Sequence, residues 1–519
     1  MPTAGAAMQA YSVFDFSRGL DLKTSPLKLA LLKAQNALRQ ARNAIYTSSG
    51  AVSTRWDIQN ATNSSIGASV IVTGGVEFVK SNGDRVVVCG TNDGRVFTIP
   101  TAGGAPTQIR SGLTAGTKWY FATYHDKLLI GNRADAPQKY DGSTIAALGG
   151  TPPSKGGPVA VHGNRVFWLD GTNKSTLYWS ALNAEEDYTT PTNAGSAEIS
   201  PNDGTMLKDL VPGINELILL KENRPYRLQG TSPSTFTIAN VVPTTGSVGA
   251  ISTQAAVFAA NQVRYAALSG VVSLATIQQF GDLREAFDSD KISPYWEPDS
   301  DVLLSIVNLG GCVMAYDSQW NRLYLAVDTN ADAVNDTVLV YDIALKAWSV
   351  WDGISIASMW SVRNPTSGLS EIWAGGYNGH VRVLNRDVAT NAIPCHVTHL
   401  SVLGSPGMEK SVRHLFLYFK EEGNYSVNVT TRFDFGATGG QVYTASLLGG
   451  SKTLGVNWVL GVDPLGAQSQ IVKRVDTHGT GEFMEIEVSN ENAGQEFTWY
   501  GYEALSRPRR VVRRGTAAV

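Results

Sequence analysis

Residues 85–99 read Arg85-Val-Val-Val-Cys-Gly-Thr-Asn-Asp-Gly-Arg-Val-Phe-Thr-Ile99. Two runs rich in β-branched and aromatic residues flank Asn92-Asp93-Gly94, a turn signal of the kind that joins antiparallel strands. The form returns along the chain without being identical. Lys127-Leu-Leu-Ile-Gly131 leads to Gln138-Lys-Tyr-Asp-Gly142, and Asn164-Arg-Val-Phe-Trp-Leu169 leads through Asp170-Gly-Thr-Asn173 to Thr176-Leu-Tyr-Trp-Ser180. Glu216–Leu220 precedes Arg227–Gly230, Asn321–Val327 pairs naturally with Thr337–Asp342, and Glu371–Leu384 is a last copy of the first pattern. Strand, small turn, strand, repeated every few tens of residues, points to a β-propeller built from radially repeated antiparallel sheets. At about 40–50 residues per blade, residues 55–390 hold roughly six to eight blades, with six or seven expected. A pair of β-sandwiches is the alternative reading of short, regularly spaced strands; the Asn-Gly and Asp-Gly turns beside aromatic strands favour the propeller.

Composition agrees with a mainly β chain. Of 519 residues only 17% are charged, glycine numbers 52, and 42 Lys+Arg against 45 Asp+Glu leave the chain near neutrality. That balance implies no bulk attraction to nucleic acid or membrane. The three cysteines, Cys89, Cys312 and Cys395, are odd in number and scattered, so assembly in a reducing cytosol is expected. Met1–Ala10 has no basic segment followed by an apolar run, and no window approaches the ~18 apolar residues of a membrane helix.

Before the repeats, Leu27, Leu31, Ala34, Leu38, Ala41 and Ile45 recur at three- and four-residue steps. The spacing predicts one helix from Pro26 to Ile45, capped by Ser25 with proline at the first helical position. A second, shorter helix is expected around Asp282–Asp288. After the repeats, Arg413–Phe419, Tyr425–Phe433, Glu482–Val488 and Phe497–Glu503 read as strands of a separate β-sandwich. The expected division is therefore an N-terminal arm and helix (1–54), a propeller (55–390), a C-terminal antiparallel β-sandwich (391–506) and a basic tail (507–519).

The ordered set of motifs resembles the β-propeller tail nozzle or tail hub proteins of short-tailed bacteriophages. An aromatic-glycine segment at Phe14–Leu22, Ser25-Pro26-Leu27, a polar stretch at Asn36–Asn43 and the exit Gly50–Arg55 come first. They are followed by Asn164–Trp168 with Tyr178-Trp179-Ser180, Leu182–Tyr188, Leu217–Lys221 with Tyr226–Pro233, and Val340–Asp342 with Trp348-Ser349. The exit carries Arg55-Trp56-Asp57 where that family usually has Arg-Pro-Gly. The resemblance implies a structural virion protein of the tail, made and assembled in the host cytoplasm. In that family the subunits form a sixfold homo-oligomeric ring below the portal and adaptor, a conduit and gate for DNA ejection. Partners would be the adaptor, tail fibres or spikes, and phage double-stranded DNA in transient passage; no cofactor, metal or stable membrane insertion is expected. Phe14, Phe16, Leu20, Leu22 and Pro26 are expected to dock the arm on a neighbour. Arg507, Arg509, Arg510, Arg513 and Arg514 are expected to meet an acidic neighbour in the ring, with DNA phosphate or a frayed terminus as alternatives.

Candidate chemistry is sparse. Asp328–Asp336 imitates the front of a calcium loop but has Ala333 at the glycine position and Leu339 at the glutamate position, so a hairpin loop is expected. Cys395, His396, His399 and His414 lack the paired-cysteine half of a structural zinc site. Glu185, Glu186 and Asp187 are adjacent on a turn, whereas glycoside hydrolysis needs carboxylates on opposed walls. No catalytic residue is assigned and no enzyme activity is expected. The rival functions are a propeller that binds or cleaves host-surface polysaccharide and a cellular propeller scaffold.

Overall fold

The computed structural model describes residues 7–31, 36–241, 248–277, 282–297, 306–386, 391–403, 407–436, 438–448 and 470–511. The chain forms two compact units: residues 1–57, 344–352 and 387–519 in one, 58–343 and 353–386 in the other. The backbone thus passes between them four times.

The larger unit is a seven-bladed β-propeller. Its sheets begin with Val72–Val79, Tyr120–Tyr124, Gly156–His162, Leu207–Pro212, Ala256–Ala259, Val313–Asp317 and Ser358–Arg363, and each runs outward as an antiparallel meander. Every first strand packs on the first strand of the next sheet, and Ser358–Arg363 packs on Val72–Val79, so the ring closes. Residues 58–60 of the strand Asp57–Asn60 close the seventh blade: they join Ser358–Arg363, Ser370–Gly375 and Val381–Arg386 as the outermost strand. A strand from one end of the unit thereby completes a sheet from the other, protecting the edge.

The core lies between blades. Phe78, Val88 and Val96 of blade one pack on Trp119, Leu128, Ile130 and Tyr140 at blade two; Trp360 and Trp373 of blade seven pack on Val72, Val87 and Cys89 of blade one. The stretch 85–99 folds as expected, Arg85–Thr91 pairing with Val96–Pro100. Its turn requires glycine: Gly94 has φ +80°, and a Cβ there would lie 1.9 Å from the Leu113 carbonyl oxygen.

The smaller unit holds two sheets. One runs Ala44–Tyr46, Val52–Thr54, Thr498–Val511, Met408–Lys420, Gln470–Gly481, with Gln9–Val13 added on Thr498–Val511. The other runs Ala347–Asp352, Leu38–Arg42, Cys395–Ser401, Met484–Asn490, Ser426–Phe433, Thr438–Ser446. The sheets meet where His399 Nδ1 and the Tyr502 hydroxyl lie 3.0 Å apart, beside the buried Phe16 and Trp499. The C-terminal strands are those expected, but they are not a separate domain: the N-terminal segment supplies strands to both sheets.

Three expectations are corrected here. The helix is a single short piece, Pro26–Leu31, begun as expected at Ser25, whose hydroxyl accepts from the Lys28 N–H. Residues 32–35 lie outside the described set, and Leu38–Arg42 and Ala44–Tyr46 are strands. The false helical period has a physical origin. The pairing of Leu38–Arg42 with Cys395–Ser401 shifts register between Leu38 and Gln40; such a bulge puts residues three apart on one face. Leu38 and Ala41 are accordingly both buried. The second expected helix is also a strand, Asp282–Phe287, the outer edge of blade five. The basic tail does not begin at 507: Arg507 and Arg510 continue the last strand opposite Ser411 and Glu409. Arg513 and Arg514 lie outside the described residues.

Candidate functional site

The seven innermost strands of the propeller enclose a cavity of about 610 Å³. Four antiparallel strands return the chain to the side from which it entered a blade, so the entering loops gather at one end of this channel. That end is bridged by side chains. Gln254, at the entry to blade five, donates from Nε2 to the carbonyl oxygens of Thr73 (3.0 Å) and Trp119 (2.9 Å), which belong to blades one and two on the far side of the ring. Its own carbonyl accepts from the Met314 N–H at 2.9 Å, tying blade five to blade six. Arg133 reaches from blade two to blade four, donating from Nη2 to Leu207 and Lys208 carbonyls at 2.7 and 3.0 Å. Ser358 Oγ donates to the Val72 carbonyl at 2.6 Å, fastening blade seven to blade one.

The wall combines aromatic and polar groups. Trp119 lies over Gly74 and Gly90, where a Cβ would come within 2.6 and 2.3 Å of it, and its indole N–H donates to the Thr91 carbonyl at 3.0 Å. Asp209 is enclosed by the ring while keeping part of its surface open to the channel, and burial pushes its carboxyl up to about 7, against the Leu210 N–H, Arg133 and Lys118, which favour the ionised form. No sequence signal pointed to this cavity, because it is assembled from residues that no local spacing connects.

The residues singled out in the sequence lie elsewhere and apart from one another. Phe16 and Leu20 are buried within their own unit, a correction to their expected role as a docking surface. Phe14 is 49% exposed, its ring edge-on to Tyr418 at 4.9 Å; Leu22 and Pro26 are half-buried. Arg507 is half-buried and Arg509 exposed.

Arg55, in the exit segment 50–57, is a buried structural hub. Its Nε donates to Asn43 Oδ1 at 2.9 Å and its Nη1 to the Trp56 carbonyl at 2.9 Å, with the guanidinium 5.6 Å from the Trp351 ring centre. Asn43, at φ +52°, passes the network on to Asp352 Oδ1 (2.6 Å) and the Pro394 carbonyl (3.0 Å). Burial pulls the Arg55 guanidinium down to about 10, while Asp57 and Asp352 hold it up. Asp57 in turn accepts from the N–H and side-chain amide of Asn391 at 2.9–3.1 Å. Asp57 thus anchors residue 391 to the exit segment.

The histidines and cysteine of the region 395–414 do not converge. His396 sits between Glu487 (2.9 Å) and Glu491 (3.0 Å), His399 faces Tyr502, and His414 faces Asp476 at 2.8 Å. Burial pushes the Cys395 thiol up to about 12, as it does those of Cys89 and Cys312, leaving all three protonated at neutral pH. His396 titrates above the ordinary histidine range because of its hydrogen bond to Glu487, aided by the charges of Glu487 and Glu491 and opposed by burial and Arg42. A raised base stabilises the fold fully below its unfolded pKa of about 6.5 and loses that contribution as pH rises through the folded value. His396→Gln is therefore expected to lower the melting temperature at pH 5.5 and to have little effect at pH 9. Thermal melts at the two pH values check this; equal losses at both would contradict it.

Two members of the acidic trio pair with lysines of blade two, and the third shapes its own loop. Glu185 pairs with Lys127, Glu186 with Lys139, and Asp187 accepts from the Thr189 and Thr190 N–H groups at 3.1 and 2.9 Å. Asp328 accepts from the N–H groups of Asn330, Ala331 and Ala333 at 2.9–3.1 Å, so its carboxylate shapes its own loop. Among the described residues, no group of three or more His, Cys, Asp or Glu side chains is placed to hold a metal ion.

No protein-family model matches the chain, and no curated relative matches it. Among solved structures it is similar to the WD40 β-propeller domain of Doa1, with 12% identity, 63% of this chain and 96% of that chain covered, and a TM-score of 0.40. It is likewise similar to YCF48 from Cyanidioschyzon merolae, at 10% identity over 63% of this chain and 98% of that chain with a TM-score of 0.43. A third is the computationally designed Ika8 protein, at 14% identity over 63% of this chain and all of that chain with a TM-score of 0.36.

Proposed function

We propose that this chain is a structural subunit of a virion tail, of the kind seen in the nozzle or hub proteins of short-tailed phages, and not an enzyme. The observation that best supports this reading is the insertion of the propeller. The first strands of the chain and its last strands are built into one β unit, and a closed seven-bladed ring is spliced between them. Such a chain carries two modules that can serve different neighbours, one assembling a ring and one offering faces to fibres.

The propeller's own channel is not the conduit in this proposal. A cavity of about 610 Å³ falls within the ~300–1,000 Å³ of ordinary small-molecule sites, and Gln254 crosses its entry end. A DNA duplex, whose major groove alone is ~12 Å wide, does not pass it. The conduit of the assembly would lie on the symmetry axis of the ring. Near-neutral net charge suits a passage that must release DNA, since many phosphate contacts would hold it.

The test is the mass of the purified full chain by sedimentation velocity over a concentration series. The proposal expects a closed species of six 55.6 kDa subunits. A monomer at every concentration, with or without the adaptor ring of a tail that contains this protein, would contradict it.

A further inference from the structure

At the end of the propeller opposite Gln254, where first strands turn back into second strands, the neighbouring hairpins of blades four and five enclose a second cavity of about 230 Å³. Its floor is apolar, with Val263 and Leu274 buried. The blade-five hairpin turns through Ala260 and Asn261, at φ +48° and +62°, with Ala259 opposite Gln262. A two-residue turn of this kind fixes the register of the strands it joins. It places Asn261 and Gln262 along the blade-five side of the cavity, while Glu216 and Gln229 line the blade-four side.

Two of these amides are oriented by the protein itself. Gln262 Oε1 accepts from Arg264 Nη2 at 3.1 Å, and Arg264 is held in turn by Asp288 at 2.8 Å and by the Ala259 carbonyl. The Nε2 of Gln262 is left as a donor. Gln229 is turned the other way: its Nε2 donates to Glu216 Oε2 at 3.4 Å, which leaves its Oε1 as an acceptor. One side of the cavity thus offers a donor and the other an acceptor. At the rim, Phe258 and Ile214 keep 36% and 68% of their surface exposed.

We propose that this cavity binds one neutral sugar ring of a glycan. A hydroxyl group donates and accepts at once, so neighbouring hydroxyls of one ring match a donor amide on one side and an acceptor amide on the other. The C–H face of the same ring packs on Phe258, as apolar surface does on an aromatic side chain. An anionic sugar would bring its charge to Glu216, and among the described residues no cation lines the cavity. A peptide strand needs a sheet edge or a long groove. A cavity below the ~300–1,000 Å³ of ordinary ligand sites instead has room for a single ring. Glu216 is the one carboxylate among the described lining residues, whereas glycoside hydrolysis takes two, so the sugar is held and not cleaved. A lone subunit carries the whole pocket, and binding therefore stands whether or not the chain assembles into a ring.

The experiment is saturation-transfer NMR on the full chain with methyl α-glucoside, methyl α-galactoside, methyl α-mannoside and methyl N-acetyl-β-glucosaminide. Sodium glucuronate and N-methylacetamide serve as the anionic and peptide-like controls. Saturable transfer to the ring C–H protons of at least one neutral glycoside is expected, with neither control responding as strongly. Phe258→Ala and Gln262→Ala are each expected to weaken that binding roughly tenfold or more. Trp320→Ser, which removes an exposed aromatic ring of blade six outside the cavity, is expected to leave it unchanged. The result with the unaltered protein stands even if a variant folds poorly. No transfer to any neutral glycoside, equal transfer to either control, or a loss on Trp320→Ser matching that on Phe258→Ala would each overturn the proposal.

Discussion

Deleting residues 9–20 is expected to unfold the smaller β unit and not merely to free a docking arm. Gln9–Val13 pairs residue by residue with Tyr502–Ser506. Phe16 is fully buried, its ring 4.6 Å from that of Trp499 and 5.7 Å from that of His399. Its N–H donates to the Gly50 carbonyl at 2.8 Å, and the Leu20 N–H to the Trp348 carbonyl at 3.0 Å. Gly19 makes this approach possible: at φ +67°, a Cβ there would sit 2.6 Å from that of Ala347. Phe16→Ala alone is expected to cost about 3–5 kcal/mol, a large share of the ~5–15 kcal/mol that holds a domain together. In a unit of this size that corresponds to a fall of roughly 10 °C in its melting temperature. Calorimetry of the full chain reads it directly, and limited proteolysis tells which unit opened. An unshifted transition for Phe16→Ala would show that the arm is not part of the core. Phe14→Ser, at an exposed position, is the variant that tests docking without disturbing the fold.

The second large effect is expected at Trp119, where blade one meets blade two. Its ring fills the space left by the missing side chain of Gly90 and its carbonyl and Cβ lie against Gly74, its indole N–H is satisfied by the Thr91 carbonyl, and its own carbonyl accepts from Gln254. It packs in one cluster with Phe78, Val88, Leu128 and Ile130. Trp119→Ala removes the packing and leaves a cavity, for about 3–5 kcal/mol. Gly90→Val is expected to destabilise as well, from the opposite direction, because its Cβ alone would overlap the indole. Urea unfolding of the two variants should show lower midpoints for the propeller transition, with His396 and the rest of the smaller unit unaffected. Midpoints equal to that of the unaltered protein would mean that neighbouring blades close over the gap.

The propeller was readable because its signals are local. Asn92-Asp93-Gly94 sits between two runs of strand-forming residues, and its glycine is required by backbone geometry that a sequence displays openly. The blade count was not, since the seventh sheet takes its last strand from residues 57–60, some 300 positions before its first three. The N-terminal helix failed for a related reason. Leu38 and Ala41 obey a helical spacing, yet a bulge set by pairing with residues 395–401 gives the same spacing in a strand. Periodicity reports which residues share a buried face and not which backbone places them there. The stretch Arg55-Trp56-Asp57 was visible in the sequence, but the part Arg55 plays lay in Asn43 and Asp352, brought together by the fold. The channel residues Trp119, Asp209 and Gln254 come from blades two, four and five and share no spacing. Sites made by ring closure are legible only after the ring is closed.

Electron microscopy of the purified full-length assembly tests the central claim most directly. The account predicts rings with a central hole on the symmetry axis and seven-bladed discs that are separate from that hole, each with its own small blocked channel. Isolated discs, or particles whose only aperture is the propeller channel itself, would contradict it.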